Sequence, residues 1–76
     1  MARHKTLDVR GMEPPEPLER VLDAIGDFEP GDTLRLMIDC EPLPLYRILD
    51  RNNFAHVAEP GAHSLYEITI WAKAEA

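Results

Sequence analysis

The run Leu7-Asp8-Val9-Arg10-Gly11-Met12-Glu13-Pro14-Pro15-Glu16-Pro17 constrains the fold more than any other part of the chain. Leu7 to Arg10 has the alternation of a half-buried strand. Gly11 opens backbone angles that other residues avoid. Pro14, Pro15 and Pro17 fix their own φ, and a proline at the start of a helix loses no hydrogen bond. The segment therefore predicts a rigid corner from strand to helix, with Glu16-Pro17 opening the helix. Several backbone N–H groups of that helix end are expected to point outward.

Beyond the corner, Leu18, Val21, Leu22 and Ile25 recur at helical spacing and give one apolar stripe. Gly26 is expected to end the helix in a left-handed cap, and Phe28 to fold back over that end as core. Glu29-Pro30-Gly31-Asp32 reads as a turn. Thr33 to Asp39 is the clearest strand: Leu34, Leu36 and Ile38 face one way, Thr33, Arg35, Met37 and Asp39 the other. Cys40 to Leu43 turns the chain, and Pro44 suits the first turn of a second helix that carries Leu45, Ile48 and Leu49 inward. Asn52-Asn53 closes it, since Asn tolerates the left-handed cap. Phe54 to Ala58 and Leu65 to Ala72 predict an antiparallel pair joined by a turn at Glu59-Pro60-Gly61-Ala62. Residues 1–5 are expected to fray.

The order βαβαββ predicts an α/β (α+β) two-layer sandwich, a mixed four-stranded sheet with both helices on one face. The first two strands, separated by a helix, should be parallel with a right-handed crossover. With 76 residues the chain makes one domain, residues 1–76 with an ordered core over about residues 5–73. The other sheet face is left open. Tyr66, Ile68 and Ile70 should point inward, which places Glu67, Thr69 and Trp71 outward. Met37 and Trp71 share that face and are the candidates for an open-face interaction, a weak homodimer included.

The corner resembles the signature of the TusA/SirA-like sulfur-carrier family, in which a strand ending Leu-Asp-x-x-Gly-Leu runs into Cys-Pro-x-Pro at a helix start. Leu7, Asp8, Gly11 and Met12 match that run, and Pro15, Glu16 and Pro17 match its Pro-x-Pro. Pro14 stands where the family carries its sulfur on cysteine, and proline cannot hold a persulfide. The second stretch, Asp39-Cys40-Glu41-Pro42-Leu43-Pro44-Leu45-Tyr46, is similar to an uncharacterised branch of the family with Pro-Pro-Glu-Pro at the first motif. That branch is often found beside hemerythrin-like and nitrogen-oxide-handling proteins. The resemblance spans roughly residues 5–73 and implies the TusA-like fold. For function it implies a role near redox or nitrogen-oxide metabolism.

Composition removes several classes. A net charge of −6 opposes general binding to nucleic acid, whose phosphates demand clustered Lys and Arg. Between Glu13 and Asp32 seven acidic side chains face Arg20 alone, either a solvated helix face or a docking surface for a basic partner. No apolar run approaches the roughly 20 residues that cross a bilayer, and Met-Ala-Arg-His-Lys lacks the apolar stretch of a signal peptide. One cysteine cannot form an internal disulfide. A cytoplasmic protein with no membrane and no nucleic acid as partner is expected.

The parallel strands should end on one edge, where both helices begin and their N–H groups converge. That places Arg10, Glu13 and Pro14 beside Asp39, Cys40, Glu41 and Tyr46, a candidate site for a partner protein or small anion. Cys40 is the one candidate nucleophile. A helix N-terminus favours its thiolate, whereas Asp39 and Glu41 oppose it. Glu13 and Glu16 read as capping residues. His56 and His63 are expected to face each other across the hairpin. Even with Glu59 or His4 they lack the spacing of a metal site, so no metal and no cofactor is expected. Two functions follow: a non-enzymatic binding or adaptor domain, or a sulfur-relay protein carrying persulfide on Cys40.

Overall fold

A computed structural model describes residues 2–13 and 15–73. The element order is β1 (His4–Asp8), α1 (Glu16–Ile25), β2 (Thr33–Ile38), α2 (Leu43–Arg51), β3 (Phe54–Pro60) and β4 (Tyr66–Ala72). The expected βαβαββ order stands. The sheet runs β1-β2-β4-β3. β1 pairs with β2 in parallel, Leu7 opposite Leu36, and β4 lies antiparallel to both β2 and β3. The last hairpin therefore folds β4 back into the middle and leaves β3 on the edge.

One layer of apolar side chains joins sheet and helices. Leu34, Leu36, Leu49, Ile68 and Ile70 are fully buried, and Val9, Val21, Ile25, Ile38 and Leu45 nearly so. The alternation of β2 and the helical stripes both point into this layer, as their periods require. Leu7, Leu18, Phe28 and Tyr66 pack around it.

Four local expectations are corrected. The first strand occupies His4–Asp8 rather than Leu7–Arg10, and residues 3–5 do not fray. The cause is Asp32. Its buried carboxylate accepts the Arg3 backbone N–H at 2.8 Å and two guanidinium N–H groups of the same residue, while Arg3 also reaches Asp27. Gly26 takes ordinary right-handed helical angles, and the Phe28 N–H bonds to the Ile25 carbonyl to close α1 without a left-handed residue. Asn53 does adopt positive φ, +63°, after Asn52 closes α2. Glu59 and Pro60 belong to β3, so the turn lies over residues 61–65. A proline is tolerated there because β3 is an edge strand. Gly61 leaves no room for a side chain, since a Cβ would sit 2.7 Å from the Ser64 carbonyl oxygen.

No helix of the described residues is long and apolar enough to cross a membrane.

Candidate functional site

β1 and β2 end on one edge of the sheet, and α1 and α2 start there. Arg10 and Glu13 follow β1; Asp39, Cys40 and Glu41 follow β2; Tyr46 lies in the first turn of α2. Gly11 has φ +79°, which lets the chain reverse immediately after Arg10. Pro14, the remaining expected member, lies outside the described residues.

Arg10 is committed locally. Its Nε and Nη2 donate to the two carboxylate oxygens of Asp8 at 2.9 and 2.8 Å. The same hydrogen bonding holds the Asp8 carboxyl down at about 2 and raises the guanidinium further, with the charge of Asp39 adding to the latter. Nη1 donates to the His63 carbonyl. Asp39 Oδ1 accepts the Leu65 N–H at 3.0 Å. Both motifs thus converge, and together they hold the 61–65 turn.

The helix ends carry few free donors. In α2 the Leu43 N–H bonds to Glu41, the Leu45 and Tyr46 N–H groups bond to Pro42, and Pro44 has none to give. In α1 Glu16 bonds to Glu13, Glu19 bonds to Pro15, and Pro17 has no N–H. The outward N–H groups expected at the first corner are thus fewer, those of Glu16 and Glu19 being used within the chain. The prolines that stiffen the corners also remove the donors an anion would need. No side-chain cap forms either; Glu16 instead lies 3.5 Å from Arg20 one turn on. The exposed charges left at the edge, Glu13, Glu16, Asp39 and Glu41, are acidic.

Between the two corners lies an apolar cleft of about 340 Å³. Pro15, Pro17 and Leu18 form one wall, Pro42, Pro44 and Leu45 the other, and Leu36 and Ile38 the floor. Cys40, exposed, and Glu41 sit at its mouth. The sequence reading named the charged rim but missed these walls. Their signal was available in two proline pairs, each flanking the start of a helix.

Tyr46 faces β3 rather than the cleft. Its ring stacks on His56, centroids 4.2 Å apart and planes 5° from parallel. The Tyr46 hydroxyl and His56 Nδ1 are both buried and find no hydrogen-bond partner among the described residues. Burial first, then the charge of Glu41, pushes the phenol upward. His56 is therefore not facing His63, which sits in the 61–65 turn. His4 Nδ1 lies 2.6 Å from Thr33 Oγ1. Among the described residues no three His, Cys, Asp or Glu side chains gather closely enough to hold a metal ion.

On the open face, Met37 lies opposite Glu67 and Trp71 opposite Thr33. The two half-buried side chains sit four residues apart along the sheet, with the Arg35–Glu67 ion pair between them.

These features define a two-layer α/β sandwich with a proline-walled cleft at the edge where its parallel strands end. Residues 6–72 match the family described as an uncharacterized conserved protein, DUF2249, and the chain belongs to that family. No curated protein matches the chain, and no solved structure does.

Proposed function

We propose that this chain is a small cytoplasmic binding module of the TusA-like kind, from the branch with Pro-Pro-Glu-Pro at the first corner, and that its edge docks a partner protein. The cleft carries the reading. It offers an apolar seat large enough for one or two side chains, walled by prolines that lose little entropy on binding because they are already fixed. The acidic rim favours a partner segment with an apolar anchor and neighbouring Lys or Arg. A small anion is the weaker ligand, because the helix ends have spent their donors within the chain. Resemblance to the hemerythrin-associated branch favours a partner in redox or nitrogen-oxide metabolism.

The test is capture from the native host with wild type, Leu18→Lys and Cys40→Ser as baits, each checked for folding by circular dichroism. Wild type and Cys40→Ser should retain the same partner, and Leu18→Lys should lose it. A partner held equally by all three removes the cleft from the interaction.

A second reading rests on Cys40, whose exposed thiol stands at the mouth of the same cleft. There it would act as the persulfide carrier that Pro14 cannot be. A persulfide donor would add one sulfur atom to Cys40, visible by mass spectrometry. An unmodified chain under conditions that load a true carrier ends this reading.

A further inference from the structure

The outer surface of the helical layer is divided by charge. In α1 Val21 and Ile25 are buried; in α2 Leu45 and Leu49 are. A residue two positions from a buried one lies about 200° around the helix, on the side away from the sheet. Glu19 and Asp23 occupy that side of α1, and Arg47 and Arg51 that side of α2. All four are exposed. None forms an ion pair among the described residues, where Arg20 is taken by Glu16 and the remaining pairs lie on or beside β1 and the open face. Asp50 is the other charge on the exposed side of α2, one step toward β3.

The four charges also agree in height. At the helix starts Pro17 and Leu18 face Pro44 and Leu45 across one cleft. Further along, Leu22 and Ile25 face Ile48, Leu49 and Asn52 across a second. α1 and α2 therefore run side by side, the turn at Leu18 beside the turn at Leu45 and the turn at Leu22 beside the turn at Leu49. Both helices follow strands that run in the same direction, so they are parallel. Glu19 then lies within about one helical turn of the height of Arg47, and Asp23 within about one of Arg51, a spread that these long side chains can span. Between the two charged ridges runs an apolar furrow that exposes about a third of Leu22.

We propose that the occupant of this surface is a second copy of the chain, in an isologous dimer whose two-fold axis lies along the furrow. That operation sets α1 of one copy over α2 of the other in the same direction, at unchanged height. Glu19 meets the partner's Arg47 and Asp23 meets the partner's Arg51, and symmetry doubles both pairs. An axis across the helices would stack α1 on α1, acid on acid, and is disfavoured. The two furrows close on each other, bringing Leu22 and Ile48 of both copies out of water. Net charge of −6 on each copy opposes association at long range, so the local pairing supplies specificity rather than high affinity. The footprint is that of two short helices, at the small end for stable interfaces, so the dimer is expected to be weak and transient. The axis leaves the two proline clefts at the same end of the dimer, where they would present a bivalent surface.

Sedimentation of the full chain from about 10 μM to about 1 mM tests the proposal. Wild type should shift from monomer to dimer across that range, and about 0.5 M salt should reverse the shift. Glu19→Lys/Asp23→Lys should be monomeric, as should Arg47→Glu/Arg51→Glu, both with unchanged circular dichroism because these side chains are exposed. Mixing the two variants should restore a dimer, since each then supplies the charge the other lacks. A wild type monomeric at 1 mM overturns the proposal. So do reversed variants that dimerise as wild type does, a mixture that stays monomeric, or a dimer abolished by Trp71→Ala, which would assign the contact to the open sheet face. Cleft variants are not involved, so failure here leaves the docking reading standing.

Discussion

The Arg10 guanidinium donates to the backbone carbonyl of His63, 53 residues along the chain, while its other nitrogens grip Asp8. This side chain links the end of β1 to the turn before β4, and Asp39 completes the link through the Leu65 N–H. Arg10→Ala should leave the melting temperature almost unchanged, because the pair is exposed. Amide exchange at residues 62–65 should quicken. Unchanged exchange there would mean that Asp39 alone holds the turn.

Tyr46→Phe removes a buried hydroxyl that has no partner among the described residues and keeps the ring stacked on His56. An unsatisfied polar group is costly to bury. The variant should match wild type or gain up to about 1 kcal/mol in urea unfolding. The pH dependence has a definite sign. The phenol is raised in the folded state, so above its ordinary value of about 10 the unfolded chain loses the proton first and wild-type stability falls. Tyr46→Phe should flatten that decline. A loss above about 1 kcal/mol at neutral pH would show that the hydroxyl does have a partner in solution.

Asp32 anchors the N-terminal strand. Hydrogen bonds from the Glu29 and Arg3 backbone and the Arg3 side chain hold its carboxyl well below the usual range. Its stabilisation is complete above the ordinary carboxylate value of about 3.9 and is lost as pH falls from there toward the lower folded value. Asp32→Asn should lower the melting temperature at pH 7 by several degrees. The difference from wild type should narrow below about pH 4. A difference that stays constant down to pH 2 would rule out the carboxylate as its source.

Leu36 is fully buried in β2 and also floors the proline-walled cleft. Leu36→Ala should cost about 3 kcal/mol, the usual range for a core leucine. In a domain of this size that is a large part of the total. Calorimetry should show a transition lowered by more than 10 °C, about 4–8 °C for each kcal/mol. A smaller shift would mean that the cleft collapses to fill the space.

Local chemistry determined much of the architecture. Alternation in Leu34, Leu36 and Ile38, the stripes of α1 and α2, and the prolines at both helix starts each act within a few residues. Strand, helix and corner could therefore be read directly, and the βαβαββ order with its parallel first pair followed. What depended on distant partners was not legible. The N-terminus looked free because its anchor, Asp32, lies 29 residues from Arg3. Gly26 invited a left-handed cap, but the Phe28 N–H closes α1 without one. His56 read as a neighbour of His63 until the sheet order put it beneath Tyr46. That two proline corners share an edge follows from strand and helix order alone. That they face each other as cleft walls follows from packing, because a wall exists only where two helices are held apart on a common floor.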